Sequence, residues 1–149
     1  MSTVERPRIY NPYTKFGFRS SPENCYKLIV AGSRELADVN LVYKTIDDVT
    51  DLIFEDGLGG IIIISGGAKG ADSIGEMYAD EKGIELWVYD AEWPKYGNSA
   101  GHKRNAEMAA VANGCLVFWN GDTEKSGSFN MINTAKKYNL ELFVQDIPK

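Results

Sequence analysis

Short apolar runs alternate with amphipathic stretches from Lys27 onward, and this alternation limits the fold more than any other feature of the chain. The run Ile61–Ser65 is β-branched and typical of a strand covered on both faces, whereas the stretch before it carries an apolar helical stripe. Strands that alternate with helices indicate a parallel sheet with right-handed crossovers. The sequence therefore predicts the α/β class: a Rossmann-like open parallel sheet sandwiched by helices.

The same pattern sets the bounds of each predicted element. The predicted strands are Lys27–Ala31, Ile61–Ser65, Glu85–Tyr89, Cys115–Trp119 and Glu141–Val144. The predicted helices are Asn40–Phe54, Ala71–Lys82, Gly101–Ala112 and Ser128–Tyr138. Between the third of these strands and the next helix, Asp90–Ala100 is expected to be a long loop.

The segment before this pattern has a different composition. Its basic residues outnumber its acidic ones, whereas the whole chain carries a formal net charge of -5. Its first 25 residues also contain three prolines and four aromatic residues without helical or strand periodicity. We therefore divide the chain into an irregular N-terminal extension, residues 1–26, and a Rossmann-like domain, residues 27–149. The aromatic residues favour an extension docked on the domain or on a partner subunit over a mobile tail.

Composition excludes several classes of protein. A pI near 4.9 argues against a chain that coats nucleic acid, because phosphate contacts need a basic face. The longest apolar runs fall far short of the roughly 20 residues that a membrane span needs, and the N-terminus lacks a signal-peptide core. Cys25 and Cys115 are widely separated and form neither a disulfide framework nor a paired metal motif. We expect a soluble, cytoplasmic protein without a bound metal.

In open parallel sheets, ligands bind beyond the carboxyl ends of the strands, so the loops there are the candidate site. The first strand ends in Gly32, Ser33 and Arg34, and the second runs through SGGAKGAD (residues 65–72) directly into a helix. Adjacent glycines let the backbone approach a ligand, and the first amides of a helix bind anions. The candidate residues of this loop are Ser65, Gly66, Gly67, Ala68, Gly70 and Asp72.

Two residues of this loop have alternative roles. Gly70 is expected to allow close packing of the helix on a strand. Asp72 either interacts with the helix dipole or accepts hydrogen bonds from ribose hydroxyls, and on the residues alone the dipole role is favoured.

Three further candidates open the helix after the long loop. These candidates are His102, Arg104 and Asn105. With Lys103, the first two make three potential cations where the helix dipole disfavours positive charge, and an anionic ligand would relieve that mismatch. Arg104 is the favoured phosphate ligand because guanidinium is a planar fork of donors. For the lone His102, a hydrogen-bonding or surface role is the favoured alternative.

The loop after the fourth strand supplies the remaining candidates, which are Trp119, Asp122, Ser126, Gly127 and Ser128. The serines and the glycine can donate to a phosphate, although Ser128 as a plain N-cap is an equal alternative. Trp119 or Trp93 is a candidate for stacking a base, with a core role the alternative for Trp119.

These motifs together resemble the SLOG superfamily, and within it the YspA/YpsA-related branch. The resemblance rests on Gly32-Ser33-Arg34, on residues 65–72 and above all on AEWPKYGNSAGHKRNAEM (residues 91–108). It covers roughly residues 27–144 and implies a Rossmann-like fold whose strand-end loops bind nucleotides or nucleotide-derived small molecules.

A more distant resemblance is to the Lonely Guy phosphoribohydrolases. His102, Arg104 and the residues Ala106-Glu107-Met108 match their helix motif, which places Arg104 at the position of their catalytic arginine. The second hydrolase motif departs: no glutamate follows Gly127-Ser128 at the position where the hydrolases carry one. Losing such a group typically costs a factor of about 10²–10⁴. Asp72, Asp122 and Glu124 are carboxylates that could substitute for it.

The function expected from the sequence is therefore the binding of a nucleotide-derived small molecule by a sensor or sequestering protein. The alternative is an enzyme that cleaves the N-glycosidic bond of a nucleoside monophosphate, with Arg104 catalytic. A minor alternative is single-stranded DNA binding, through a third resemblance to the DNA-processing protein of natural transformation; the acidic composition speaks against nucleic acid. We expect a homo-oligomer, no membrane partner and no required cofactor, with Mg²⁺ entering only with ligand phosphates.

Overall fold

The structure is a computed structural model that describes residues 6–12, 25–54, 60–124 and 126–149. Its strands are β1 (Arg8–Tyr10), β2 (Cys25–Gly32), β3 (Gly60–Ser65), β4 (Glu85–Val88), β5 (Gly114–Trp119) and β6 (Glu141–Asp146). Its helices are α1 (Val39–Ile53), α2 (Ala71–Lys82), α3 (Trp93–Tyr96), α4 (Ala100–Val111) and α5 (Gly127–Lys137), with a 3₁₀ turn at Gly97–Ser99. Every predicted helix and strand is confirmed to within two residues at either end, but the predicted loop Asp90–Ala100 contains α3 and the 3₁₀ turn.

The six strands form one sheet in the order β1-β4-β3-β2-β5-β6. All neighbours are parallel except β1, which runs antiparallel to β4. From the central strand β2 the chain crosses through α1 to β3 on one side, and it later returns through α4 to β5 on the other. The strand order therefore reverses between β2 and β5, and the loops that follow these strands diverge there. This is the position where open α/β sheets bind ligands.

Helices cover both faces of the sheet. Alternate residues of β2 point to opposite faces: Leu28 and Val30 join the core under α1 and α2, whereas Ile29 and Ala31 join the core under α4 and α5. Gly75 lets α2 pack closely on β2, because a Cβ at this position would lie 2.9 Å from Val30 Cγ1. The covered sheet explains why its strands read as continuous apolar runs.

The described part of the N-terminal segment, residues 6–12, lies along the β4 edge. β1 pairs with β4 in the register Arg8–Val88 to Tyr10–Leu86. The prediction of an irregular segment is wrong for these residues, because a three-residue strand is too short to show periodicity. β2 begins at Cys25, so Cys25 and Tyr26, which the sequence assigned to the extension, also lie in the sheet.

Arginine side chains also hold this segment to the domain. The Arg6 guanidinium bonds both Glu107 carboxylate oxygens and lies 3.3 Å from a Glu92 oxygen. The Arg8 guanidinium donates to both oxygens of Asp90, at 2.7 and 3.0 Å. Of the four aromatic residues among the first 25 positions, only Tyr10 lies within the described residues. Within the same described ranges, no helix is long and apolar enough to cross a bilayer.

Candidate functional site

Two adjoining clefts open at the carboxyl ends of the parallel strands. The first, of about 360 Å³, lies between the loops that follow β2 and β5, and the second, of about 610 Å³, lies over the loops that follow β3 and β4. Arg34, Glu35, Ala68 and Arg104 line both of them. The two clefts therefore meet at a pair of arginines.

Arg104 is the buried cation between the clefts, with 9% of the residue exposed. It lies on the inner stripe of α4 with Ala100 and Met108. Its Nε donates to Asn105 Oδ1 at 3.0 Å, and its Nη1 donates to the Gly66 carbonyl oxygen. None of the salt bridges formed within the described residues involves Arg104. Burial lowers the pKa of this guanidinium, since nothing there fully replaces the lost hydration.

Asp72 is the buried carboxylate of the first cleft, 5% exposed. Its Oδ2 accepts from the Ala68 amide at 3.3 Å. Burial raises the pKa of Asp72 to about 6, although the positive charge of Arg104 opposes the rise. A carboxyl of this kind exchanges a proton near neutral pH.

The backbone amides of the predicted phosphate loop already have protein acceptors. The Gly67 amide donates to Ser65 Oγ at 3.1 Å, and the Ser65 hydroxyl donates to Glu76 Oε2 at 2.6 Å. The Ala68 amide donates to Asp72, as described above. The amide of Ala71, the first residue of α2, donates to the Ser33 carbonyl oxygen at 3.1 Å. A ligand phosphate that uses these amides must displace those acceptors.

The glycines of this loop are required by close approach. A Cβ on Gly66 would lie 2.7 Å from Arg104 Nη1 and 2.9 Å from Asp72 Oδ2. Gly70 has φ of +74°, and a Cβ there would collide with the Ser33 carbonyl oxygen. Gly70 therefore packs loop on loop; the helix-on-strand contact that the sequence assigned to it belongs to Gly75.

The loop after β5 borders the first cleft on its other side. Ser126 is the N-cap of α5, because its hydroxyl accepts from the Phe129 amide at 3.1 Å. The alternative of Ser128 as N-cap is wrong, and Ser128 instead lines the cleft with Gly127 and Asp122. Among the described residues beyond its own helix and its chain neighbours, no atom lies within 4 Å of a Cβ built on Gly127.

A buried amide bridge joins the helices behind this wall. The Asn105 side chain donates from Nδ2 to Asn130 Oδ1 at 2.9 Å and to the Gly127 carbonyl oxygen at 3.4 Å. α4 is thereby fixed to the start of α5. Displacement of one helix would move both Arg104 and the Gly127–Ser128 wall.

Most of the candidate residues from the sequence lie around these clefts. The first cleft is lined by Gly32, Ser33, Arg34, Ala68, Asp72, Arg104, Asn105, Asp122, Ser126, Gly127 and Ser128. The second adds Gly66, Gly67 and Trp93.

Four candidates line neither cleft: Ser65, Gly70, His102 and Trp119. Ser65 and Gly70 support the loop from behind, through the contacts given above. His102 is exposed on the outer face of α4. Trp119 stacks on Phe129 with ring centroids 5.7 Å apart, and its Nε1 donates to the Asp122 carbonyl oxygen at 2.8 Å.

Several lining residues were not predicted from the sequence. Glu35, Lys69 and Asn120 are polar and sit directly beside predicted positions, and Asp90 follows the end of β4. Their places at strand ends are a signal that could have found them. Met108 and Met131 line the first cleft from inside the helices, and apolar residues at helical spacing carry no signal that separates a cleft from a core. Across the part of the chain that the structure describes, no three His, Cys, Asp or Glu side chains cluster as a metal site.

Comparisons with known proteins agree with this architecture. The model of the family described as YAcAr, YspA, cpYpsA-related SLOG family, matches residues 26–96. The Gene 61 protein of Mycobacterium phage D29 is 32% identical over 98 residues, which cover 62% of this chain and 75% of that protein.

Two solved structures of DNA processing protein A share the fold. The structure of the Streptococcus pneumoniae protein aligns with this chain with a TM-score of 0.60. The structure of the Helicobacter pylori protein, described in terms of its single-stranded DNA binding mode, aligns with a TM-score of 0.57. Both are 18% identical and cover 83% of this chain. This chain spans 50% and 66% of the lengths of those two chains, and the likeness establishes the fold alone.

Proposed function

This chain belongs to the YspA, cpYpsA-related SLOG family, and on that premise we propose that it binds a nucleotide-derived small molecule at the carboxyl ends of its strands. The two clefts that meet at Arg34 and Arg104 form the binding site. The bound molecule is anionic, in the class of nucleotides, ADP-ribose-like molecules and cyclic nucleotide signals. The protein acts as a sensor or a sequestering protein.

The observation that carries this proposal is the state of Arg104. A guanidinium that is 9% exposed has lost most of its hydration, and none of the salt bridges among the described residues involves it. The Asp72 and Asp90 carboxylates attract it from a greater distance but offset only part of the loss, because its pKa is still lowered. Its neutral partners, Asn105 and the Gly66 carbonyl, supply hydrogen bonds but no full negative charge. An anionic group in the clefts would supply that charge in the bidentate geometry that guanidinium favours.

Further groups are placed to divide the ligand between them. Arg34 is exposed and lines both clefts, so it can reach a phosphate from the solvent side. Gly127 and Ser128 open the 11-residue helix α5, whose first amides and dipole favour an anion. Asp72 and Asp122 are acceptors that suit ribose hydroxyls, and they line the first cleft.

The test is a panel of AMP, ADP-ribose and cyclic AMP, measured by thermal shift and calorimetry, with each ligand recovered and checked for integrity. A ligand at about 100 times its Kd should add about 2.7 kcal/mol of stability. Arg34→Ala should weaken binding roughly 10- to 100-fold, the value of a charge-assisted hydrogen bond. Arg104→Lys should weaken it as well, since the planar fork is lost.

The matched control is Lys103→Ala. Lys103→Ala removes one positive charge, as Arg34→Ala does, from the position of α4 next to Arg104. Lys103 is exposed, however, and lines neither cleft. It should bind every probe as the wild type does. If no probe stabilises the wild type, or if Lys103→Ala and Arg34→Ala weaken binding equally, the proposed site is wrong.

A specific observation favours a second candidate, the N-glycosidic hydrolase. Asp72 and Arg104 both line the first cleft. Burial raises the pKa of Asp72 to about 6, which suits a group that gives or takes a proton near neutral pH. In this reading Asp72 replaces the missing glutamate and Arg104 holds the phosphate of a nucleoside monophosphate. Release of free base and ribose 5-phosphate from AMP, lost in Asp72→Asn, would establish it; recovery of intact AMP would rule it out for this substrate.

Single-stranded DNA remains the minor alternative, and the likeness to the Helicobacter pylori protein weighs against our expectation that nucleic acid is not a partner. Fluorescence anisotropy with a labelled dT oligonucleotide tests it directly. Homo-oligomerisation, tested by light scattering, and a cytoplasmic location also stay proposals. Mg²⁺ is expected to bind only together with ligand phosphates.

A further inference from the structure

Trp93 is a large apolar side chain in an unusual place. It begins the short helix α3, it is 48% exposed, and it lines the second cleft with Gly66, Gly67 and Ala91. Tryptophan usually buries most of its surface, and a half-exposed indole on a cleft wall offers an apolar face to whatever enters the cleft. Trp119, the other tryptophan that the sequence offered for stacking a base, ends β5 and already stacks on Phe129.

The indole lies close to the buried guanidinium. Both Trp93 and Arg104 approach Gly101: from the Cβ position of this glycine, Trp93 Cη2 is 3.4 Å away and Arg104 Nη2 is 3.7 Å away. The edge of the indole and the guanidinium are therefore no more than about 7 Å apart, since both lie within 4 Å of the same point. A ligand whose aromatic part and anionic part are joined through a pentose can contact both.

The second cleft carries several charged side chains. Arg34 and Arg104 line it at its junction with the first cleft, and Lys69 lines the second cleft alone. Asp90, the carboxylate of the wall next to Trp93, has both oxygens bonded to Arg8 of β1. Its charge is thereby paired, while its oxygens keep lone pairs that can accept from the edge of a base.

Taking the proposed function as its basis, we propose that the second cleft is the base-binding subsite of a nucleoside phosphate. The base stacks on the Trp93 indole, and its phosphate reaches Arg104 at the junction of the two clefts. Gly66 and Gly67 line the same cleft and add no side chain of their own to it. Stacking tolerates any base, so Trp93 supplies affinity for a base as such.

The experiment compares AMP and UMP with ribose 5-phosphate, which keeps the sugar and the phosphate but lacks a base. Calorimetry is performed on the wild type, Trp93→Ala, Trp93→Phe and the control Trp119→Phe, whose tryptophan lines neither cleft. Trp93→Ala should weaken AMP and UMP on the order of 10- to 100-fold and leave ribose 5-phosphate unchanged. Trp93→Phe should recover most of the affinity, and Trp119→Phe should match the wild type.

Fluorescence provides an independent readout. AMP should quench the tryptophan emission of the wild type and of Trp119→Phe, but not that of Trp93→Phe. Equal weakening of AMP and ribose 5-phosphate in Trp93→Ala, or no weakening of either, overturns the base subsite while the proposed function stands. If neither the nucleotides nor ribose 5-phosphate bind the wild type, both the proposed function and this inference fail.

Discussion

The junction from β3 into α2 (residues 65–72) and the junction from β5 into α5 (residues 126–128) open on the same clefts but use their polar groups differently. In the β3–α2 junction, the amides of Gly67 and Ala68 donate to Ser65 and Asp72. Gly66, Gly67 and Gly70 of this junction also stand where a Cβ would collide with neighbouring atoms. In the β5–α5 junction, the Ser126 hydroxyl caps α5 and the Gly127 carbonyl oxygen accepts from Asn105, while Gly127 itself is exposed.

This difference teaches that a glycine-rich turn before a helix can be a scaffold as well as a binding loop. The β3–α2 junction fixes Arg104 and Asp72, because both side chains pack against the Cβ position of Gly66. The β5–α5 junction keeps its groups accessible to a ligand. We therefore expect substitutions in the first junction to change folding and those in the second to change binding.

The largest effect is expected for Gly70→Ala in the β3–α2 junction. Its φ of +74° is costly for alanine, and the new Cβ collides with the Ser33 backbone. We expect a loss of roughly 3–5 kcal/mol, combining backbone strain with overpacking. Thermal and urea denaturation measure it.

Gly83→Ala is the matched control for this clash. Gly83 has a similar φ of +66° but nothing within 4 Å of its Cβ position. It should lose only about 1 kcal/mol, the cost of the left-handed backbone. If both variants lose the same amount, the close approach at Gly70 carries no energy.

Asp72→Asn should change how stability depends on pH. Because burial raises the pKa of Asp72 to about 6 from 3.8, the folded state holds this proton more tightly than the unfolded chain. The wild type is therefore most stable relative to the variant below pH 4 and loses that stability as pH rises through 6. At about 1.4 kcal/mol per pKa unit, the relative change approaches about 3 kcal/mol. Urea denaturation of both proteins from pH 4 to 8 measures it, and a constant difference would contradict it.

In the β5–α5 junction, Ser126→Ala should cost about 1 kcal/mol, the usual value of an N-cap. The Phe129 amide loses its acceptor, and thermal denaturation should register a fall of about 3 °C for a domain of this size. Ser128→Ala is the matched control and should leave the melting temperature unchanged. A larger fall in Ser128→Ala than in Ser126→Ala would reverse the assignment of the cap.

The smallest effect is expected for Gly127→Ala. Its Cβ enters open space in the first turn of α5, where alanine is a better helix former than glycine. The free energy of unfolding should change by less than about 0.5 kcal/mol. Weakened AMP binding in this stable variant would mark the β5–α5 junction as the accessible side of the site; a loss of stability like that of Gly70→Ala would break the comparison.

The fold could be predicted from the sequence because both faces of the sheet are covered. Full burial makes each parallel strand a continuous apolar run, and Gly83 ends α2 at the residue where the sequence places its stop. β1 could not be predicted in this way, since its three residues Arg8–Tyr10 are all exposed. What fixes it is pairing with β4 and ion pairs to distant carboxylates.

The candidate site could be predicted only in part, because spacing along the chain does not give side-chain direction. Of the polar residues that open α4, Arg104 and Asn105 face inward and His102 faces outward. Arg104 lies four residues before the buried Met108, and this spacing predicts that it faces inward. His102 lies seven residues before the buried Ala109, so helical spacing alone does not separate it from Asn105. The choice between Ser126 and Ser128 as cap depends on the backbone of the loop, which neither serine reveals.

The strand order has a consequence for how the site is assembled during folding. β2 and β3 carry one wall of the clefts, whereas Arg104 and the β5–α5 junction belong to residues that follow much later in the chain. Contacts between such distant segments form slowly, because the entropy of closing a long loop is lost before the contacts can stabilise the chain. We expect the glycine-rich turn to form while the cleft is still open on one side. Ligand-binding competence is then a late event in folding, reached when β5 pairs with β2.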